Sequence, residues 1–384
     1  MNLPALRGHN DALVLELLRG AGPAGLGRTE LAARTELTPQ AVSKITARLG
    51  ADGLIAEAGR AASTGGKPRT LLRLVPDARH SVGVHLDRDA LRAVRVDLAG
   101  RVVAENGGPI DFAAGPEAAV EAVVRAVARV GGQAGPPLVG VGVAAPGPLD
   151  HRAGVMGRVT GFPSWKGFPL KGVLEGRLGL PVLLDKDTNA GAAAAAGAWL
   201  RATWPEAGAD AGAEAGVARG ADVGPGAGGD VLAGGGPRTC VYLHVGTGLG
   251  AGLWLGGGVY RGVRSAAGEF GHQVLLLDGP PCRCGARGCV EVLCLAAVAR
   301  GDLPEAARIV GEAAANLVAL LDVDRVLLGG RVVAAAPDVF VAGVGAVLAA
   351  RALDPARPVV ALAGAGVAEG AAEMALAPLF GRVG

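Results

Sequence analysis

The chain lacks a large net charge. Its 37 Lys and Arg residues face 35 Asp and Glu residues, a formal +2 at pH 7. This excludes a protein whose whole surface attracts nucleic acid, because such a surface is strongly basic. The small excess is unevenly placed, since residues 1–75 carry a net +4 and the rest of the chain carries −2. The distribution predicts that only the N-terminal part contacts phosphate groups.

Aromatic residues are scarce, at 3% of the chain, and long apolar runs are missing. An extended uncharged stretch, residues 239–260, contains seven glycines and is therefore poor material for a membrane-spanning helix. The N-terminus lacks the apolar core and cleavage site of a signal peptide. We expect a cytoplasmic protein that does not contact membranes.

Cysteine is rare as well. Five are present, and an odd number without a secretion signal argues against a disulfide framework. Three of them, Cys282, Cys284 and Cys289, follow His272 within eighteen residues. Zinc prefers four tetrahedral nitrogen and sulfur ligands, and this spacing lets one loop surround the ion. The alternative is a set of buried or redox-active cysteines beside an unrelated histidine.

A zinc ion held by all four residues has no open coordination position, so we expect it to be structural. A zinc-dependent hydrolase, which needs a metal-bound water, is accordingly disfavoured. Cys240 and Cys294 stand apart from the cluster and are expected in the core.

Residues 9–56 predict three short helices. The second covers about residues 28–35, and the third has Thr38 as its N-cap and Pro39 as its first residue. Apolar residues at spacings of three and four give the third helix one buried face and one polar, basic face. Two strands follow, around residues 54–57 and 70–74, joined by a basic Gly65–Arg69 loop.

This pattern is typical of a winged helix-turn-helix that binds DNA, although such modules also mediate protein contacts. Three residues of the third helix are candidates for base-edge contacts: Gln40, Ser43 and Lys44. Three more are candidates for phosphate or minor-groove contacts: Arg48, Lys67 and Arg69.

From about residue 79 the sequence predicts strands and helices in the pattern of an α/β fold. Strands are predicted at residues 81–86, 93–98, 138–144 and 239–245, and a helix at residues 117–130. Residues 205–237 are almost pure Ala and Gly, so we expect a flexible surface insertion there.

Several motifs of this α/β region resemble the ROK family, named for repressors, open reading frames and kinases. The most specific is Ala267-Gly268-Glu269-Phe270-Gly271-His272, followed by the cysteines and Gly288-Cys289-Val290-Glu291. Others are the Ala145–Pro148 turn, the Trp-bearing Gly161–Gly167 loop, the glycine-rich Val245–Gly252 run and Leu328–Gly330. The helix-turn-helix head is similar to that of the repressor branch, of the xylose or N-acetylglucosamine type.

The resemblance implies a winged helix-turn-helix over residues 1–78 and a two-lobed actin/hexokinase-like body that contains the zinc. The lobes would cover residues 79–190 and 191–384, with the final helix packing back on the first lobe. It also implies a sugar site between the lobes, with these ligands: Asp187, Asn189, Glu269, His272 and Glu291. Asp187 is at the position of the family's catalytic base, which takes the proton from the attacking hydroxyl in a kinase.

The sequence departs from the family at two places. Lys186, which is also a candidate sugar-binding residue, replaces the Asn that precedes the catalytic Asp, and a lysine in the cleft favours an acidic or phosphorylated sugar over a neutral one. At the first phosphate loop, His85 stands where the kinases have Asp, and Asp87-Arg88-Asp89 replaces glycines and threonine. Two carboxylates facing a triphosphate oppose phosphoryl transfer, which depends on positioning and charge neutralisation.

We therefore predict a repressor that binds operator DNA as a homodimer or homotetramer and responds to a sugar or sugar phosphate, with kinase activity lost. The alternative is an active sugar kinase with an accessory head. Asp187 and the intact Gly246-Thr247-Gly248 turn favour it, and His85 and the acidic first loop oppose it.

Overall fold

The computed structural model describes residues 3–60, 69–132, 135–202, 239–352 and 358–382. The chain forms two compact units: a head, residues 1–75, and a body that contains residues 76–199 and 237–384. The basic wing segment with Lys67 and the Ala/Gly-rich stretch 205–237 lie outside the described residues. Among the described residues, no helix combines the length and apolar character needed to cross a membrane.

The head consists of three helices and a small antiparallel sheet in the order β1-β3-β2. The helices are α1 (Leu3–Ala21), α2 (Arg28–Thr35) and α3 (Pro39–Ala51), and the strands are β1 (Leu26–Gly27), β2 (Ile55–Arg60) and β3 (Thr70–Leu74). The predicted bounds of α2 and α3 and the positions of β2 and β3 are confirmed. The prediction missed β1, which is only two residues long.

Helix α3 begins and packs as its sequence indicates. The Thr38 hydroxyl accepts a hydrogen bond from the Ala41 N–H at 3.2 Å, which satisfies one of the free donors of the first turn. Val42, Ile45 and Leu49 are buried. The opposite face of α3 is therefore left to solvent.

The body contains two five-stranded mixed sheets that repeat one pattern. The first has the order β10-β7-β4-β5-β6, from β4 (His80–Leu86), β5 (Ala90–Asp97), β6 (Val102–Pro109), β7 (Leu138–Ala145) and β10 (Val182–Lys186). The second has the order β13-β12-β11-β14-β15, from β11 (Cys240–Val245), β12 (Leu249–Leu255), β13 (Gly258–Val259), β14 (Arg325–Gly329) and β15 (Val359–Leu362). A short antiparallel pair, β8 (Leu149–Asp150) and β9 (Val155–Met156), lies between β7 and β10 in the chain.

In each sheet the first three strands form an antiparallel meander, and the last two lie parallel to the first strand or to each other. We call the first sheet with its helices the first lobe and the second sheet with its helices the second lobe. Each lobe therefore opens with a hairpin: β4–β5 turns at Asp87–Asp89, and β11–β12 turns at Gly246–Gly248. The predicted α/β body is confirmed, but the prediction missed the solvent-exposed strand β6.

Helices cover the sheets. They are α4 (Pro116–Gly131), α5 (Leu170–Leu178), α6 (Asp187–Ala202), α7 (Val290–Ala299), α8 (Leu303–Leu321), α9 (Arg331–Ala335), α10 (Pro337–Arg351) and α11 (Val367–Leu376). Helix α11 packs on the first sheet, where Gly83 and Gly142 leave it room. A Cβ on either glycine would lie 1.9 Å from a carbonyl oxygen of α11.

The core of the first lobe is built around Trp165 of the Gly161–Gly167 loop, which is fully buried. Its ring stacks on Phe112 with centroids 3.9 Å apart, and its indole N–H donates to the Phe112 carbonyl at 3.0 Å. Trp165 therefore holds the Gly161–Gly167 loop to the core of the first lobe, and its buried ring does not face a ligand.

We expect Trp165→Ala to lower the free energy of unfolding of the body by about 3–5 kcal/mol, because it opens a cavity and removes a buried hydrogen bond. Denaturant titration followed by circular dichroism measures this. Tyr260→Ala is the control, since Tyr260 is 51% exposed and should shift the midpoint little. Equal midpoints for the two variants would contradict the assignment of Trp165 to the core.

Candidate functional site

The four predicted metal ligands come together in the second lobe. The ligand atoms of His272, Cys282, Cys284 and Cys289 all lie within 4.8 Å of one another. His272 ends a short 3₁₀ turn, Phe270–His272, and Cys289 immediately precedes α7. The His272 Nδ1 lies 3.7 Å from the Cys282 Sγ, and the Cys284 and Cys289 Sγ atoms are 3.7 Å apart.

These distances fit a tetrahedral ion. Metal–sulfur bonds of about 2.3 Å place two sulfur ligands of a tetrahedron roughly 3.8 Å apart. Thiol groups must ionise to bind a metal. The backbone N–H of Ala286 lowers the pKa of Cys284, whereas burial raises that of Cys289 to about 12. The four donors can therefore hold a metal ion: His272 and Cys282 are half-buried, Cys284 is exposed, and Cys289 is buried just before α7.

The start of α6 is placed by two glycines of β12. A Cβ on Gly252 would lie 2.0 Å from the Thr188 carbonyl oxygen, and one on Gly250 would lie 2.7 Å from the Thr188 methyl carbon. These glycines therefore serve close helix–strand packing. The packing brings Asp187, the first residue of α6, beside the strand that also contacts the Glu269–His272 segment.

Lys186 is buried, and its charge is already paired. Its ammonium donates to the Ala267 carbonyl and lies 3.3 Å from the Glu269 carboxylate. Lys186 is 3% exposed, whereas the Glu269 side chain is 47% exposed. Glu269 can therefore accept further hydrogen bonds from a ligand, while little of the lysine is free to do so.

Asn189 is the third residue of α6 and is fully buried. Its amide nitrogen donates to Asp185 at 2.7 Å, and Asp185 also pairs with the Arg261 guanidinium at 2.6 Å. The sequence predictions did not include the Asp185–Arg261 pair, which joins β10 to the segment after β13. Nothing in their spacing, 76 residues, indicates the contact.

Glu291, in the first turn of α7, accepts a hydrogen bond from the Leu249 N–H at 2.9 Å. A Cβ on Gly271 would lie 2.4 Å from the Leu249 carbonyl oxygen, so the Phe270–His272 turn packs on the same residue. Glu291, His272 and Glu269 therefore surround the start of β12, and the start of α6 packs on the next residues of that strand.

The turn between β4 and β5 is held by the second lobe. Asp87 accepts a hydrogen bond from the Thr247 hydroxyl at 3.0 Å, and Asp89 pairs with Arg331 at 2.7 Å. Burial favours the neutral form of Asp87, but the Arg88 N–H, the His85 ring and the Thr247 hydroxyl outweigh it and lower its pKa. Asp87 is therefore anionic, and its carboxylate accepts the hydrogen bond that the Thr247 hydroxyl of the glycine-rich turn donates.

Two histidines occupy equivalent positions in the lobes, each next to last in its strand: His85 in β4 and His244 in β11. Their rings meet edge to face with centroids 6.1 Å apart. The His244 Nδ1 lies 3.0 Å from the Tyr242 hydroxyl. Burial lowers the pKa of His85, and the nearby Asp187 carboxylate opposes that shift only in part.

In the head, Gln40, Ser43 and Lys44 are exposed on one face of α3. Arg48 is exposed too, but its guanidinium pairs with Asp11 of α1. Arg69 is exposed just before β3, and Lys67 lies outside the described residues. The structure therefore leaves Arg48 less free for phosphate than its position in the sequence suggests.

A protein-family model described as "ROK family" matches residues 81–204 and 222–301 of this chain. A solved ROK hexokinase from Thermus thermophilus is 30% identical with a TM-score of 0.55, covering 76% of this chain and 96% of its own. A solved ROK family transcriptional regulator, described as a homolog of the E. coli MLC protein, is 19% identical. Its TM-score is 0.71, and the match covers 98% of this chain and 97% of the regulator.

Among curated proteins, a xylose repressor of Bacillus spizizenii is 24% identical over 287 residues, which is 74% of this chain and 65% of the repressor. The chain thus matches less than two thirds of that repressor's length.

We expect the purified protein to carry one tightly bound divalent metal ion in its cysteine cluster, and Cys284→Ser to lose it, because a serine hydroxyl is a poor ligand for a soft site. Elemental analysis after gel filtration measures the content. Cys240→Ala is the matched control, since Cys240 is a buried thiol outside the cluster. Full metal content in Cys284→Ser would show that the ion, if present, is held elsewhere.

Proposed function

The chain belongs to the ROK family, and from that premise we propose that it is a sugar-responsive transcriptional repressor. Its head, residues 1–78, would bind operator DNA as a winged helix-turn-helix. Its lobes, residues 79–190 and 191–384, would bind a sugar between them. The sugar would change the affinity of the protein for its operator only if it binds one of two arrangements of the protein more tightly than the other.

One observation carries this proposal: the head is an addition to the kinase-like body. The family model begins at residue 81, and the hexokinase match fills 96% of that enzyme but only 76% of this chain. The regulator match, by contrast, covers 98% of this chain. The relatives that are xylose repressors also support a regulator, and they make xylose a first candidate ligand.

The head has the features that DNA recognition needs. A capped helix with an exposed face carrying Gln40, Ser43 and Lys44 can enter the major groove and contact base edges. Arg69 and Lys67 would contact phosphates, with Arg48 contributing after release from Asp11. Two heads of a homodimer would then bind two half-sites of a palindrome.

We assign the sugar site to Asp187, Asn189, Glu269, His272 and Glu291. Carboxylates on both sides of β12 suit a polyhydroxy ligand, because each can accept hydrogen bonds from neighbouring hydroxyls. Asn189 would act from its buried place behind Asp187. Lys186 borders the site, but Glu269 and Ala267 compensate its charge. This compensation favours a neutral sugar over an acidic or phosphorylated one.

We assign the metal as a structural zinc ion. With His272 and three cysteines as ligands, zinc would have no open position and would cross-link the loop between β13 and α7. Because the His272 Nδ1 faces the sulfurs, its Nε2 is left for the ligand side, with its orientation fixed.

The acidic first turn argues against kinase activity. Asp87 and Asp89 bring negative charge to the place where the resemblance puts a nucleotide's phosphates, and they already bond Thr247 and Arg331 of the second lobe. A triphosphate would have to displace both contacts and meet both carboxylates. The retained Asp187 and Gly246-Thr247-Gly248 turn favour the alternative, a sugar kinase.

We expect the full-length protein to bind DNA from its own upstream region, and Gln40→Ala and Lys44→Ala each to weaken binding by about 1–3 kcal/mol through lost base contacts. Fluorescence anisotropy at fixed salt measures the affinity, and titration with a sugar panel gives the sign of the response. Lys166→Ala, an exposed lysine of the body, is the matched control. Unchanged affinity in both α3 variants would contradict this recognition face.

We expect no sugar-dependent ADP formation, because Asp87 and Asp89 place two carboxylates where the resemblance puts the triphosphate. A coupled assay with Mg-ATP and D-xylose, D-glucose and N-acetylglucosamine tests this, with a known sugar kinase as positive control. Turnover at ordinary kinase rates, roughly 1–100 per second, would favour the alternative function.

A further inference from the structure

We propose that His85 is a ligand-binding residue: its Nε2 and the Asp187 carboxylate together bind one hydroxyl of the sugar. The inference rests on the proposed sugar site and extends it to a strand that the family resemblance assigns to nucleotide binding. His85 would determine which sugar the body accepts.

The first support is an unsatisfied atom. The Nε2 of His85 is inaccessible to solvent and has no hydrogen-bond partner among the described residues. A buried polar atom without a partner costs free energy, so such atoms are rare unless a water molecule or a ligand completes them. The imidazole of His85 is therefore an incomplete group at the end of β4.

The second support comes from the repeated fold. His244, at the equivalent position of the second lobe, has a partner: its Nδ1 lies 3.0 Å from the Tyr242 hydroxyl. Neither of its ring nitrogens is a buried atom without a partner among the described residues. Of the two histidines, only His85 is left with a buried nitrogen to complete.

The third support is the chemistry of the neighbours. His85 and Asp185 both pair with Ala144 of β7, the strand between them, so Asp187, two residues after Asp185, lies at the same edge of the first sheet as His85. The Asp187 carboxylate opposes the effect of burial on the pKa of His85, and the ring is neutral at pH 7 because burial prevails. A hydroxyl between the two groups can donate its proton to Asp187 and accept from a neutral His85 Nε2–H. Each group then has a partner, and no net charge is added.

The other charged groups near His85 already have partners of their own. Asp87 also acts on His85, but its carboxylate is bonded to Thr247 and to the Arg88 N–H. Arg92, the other charged neighbour, pairs with Glu105 and Glu369. Asp187 remains partly exposed, and its carboxylate accepts a hydrogen bond from the Thr188 N–H at 2.6 Å. A neutral hydroxyl compound fits this setting better than an anion.

The test measures sugar affinity by isothermal titration calorimetry with the full chain, D-xylose and D-glucose. His85→Phe keeps the ring but removes both nitrogens, and we expect about tenfold weaker binding or more. His85→Gln places an amide nitrogen near the position of Nε2 and should recover most of the affinity. His151→Phe, a histidine of the body bonded to Ser265, is the control and should bind as the wild type does.

Monodeoxy analogues of the sugar that binds identify the hydroxyl. Removal of the hydroxyl held by His85 should weaken wild-type binding about tenfold and His85→Phe binding far less, which is the signature of a direct contact. If His85→Phe unfolds, two other measurements replace it. The first is the affinity of His85→Gln for the same analogues, and the second is the shift of the His85 ring nitrogen signals of the wild-type protein when sugar is added.

The outcomes separate the two proposals. A wild-type protein that binds none of the sugars contradicts the proposed sensing function itself. The second outcome is a wild-type protein that binds sugar without any shift of its His85 ring signals, together with His85 variants of unchanged affinity and deoxy-sugar pattern. This outcome contradicts only the role of His85 and leaves a buried water as the partner of its Nε2.

Discussion

The close packing of α6 on β12 is the constraint on which the site depends. A helix start can approach a strand this closely only where the strand has no side chains, and Gly250 and Gly252 meet that condition. The approach places Lys186 and Asp187 of one lobe beside the Glu269–His272 segment of the other. The glycine-rich run, which resembles a phosphate loop, thus has a packing role whatever it binds.

The cleft also shows how a change of charge can alter what a fold does. The hairpin turn Asp87–Asp89 contributes carboxylates that bond Thr247 and Arg331 across the cleft. An anion that already has partners opposes a second anion at the same place, most strongly for the partly buried Asp87 and less for the exposed Asp89. The same reasoning applies to Lys186, whose pairing with Glu269 removes the positive charge that an acidic ligand would need. Both features are consistent with the neutral sugar proposed above.

Much of this structure could be predicted from local sequence. The Thr38 cap, the bounds of α2 and α3 and the four-residue metal cluster follow from periodicity, capping chemistry and ligand spacing, which act over a few residues. Strand β6 was missed because Val102–Pro109 is largely exposed and contains Asn106, Gly107 and Gly108, which strands disfavour. The Lys186–Glu269 and Asp185–Arg261 pairs were missed because 83 and 76 residues separate the partners, and no local rule connects them.

The repeated strand order has a further consequence for how such proteins diverge. A three-residue hairpin turn projects from the end of its sheet and contributes little to the core, so its residues can change without a large loss of stability. The two turns of this chain occupy equivalent places in the pattern and differ completely: one is Gly-Thr-Gly and the other is Asp-Arg-Asp. Because the two turns lie at equivalent places of one repeated strand pattern, the charge that each brings to the cleft can differ while the strand order around it stays the same.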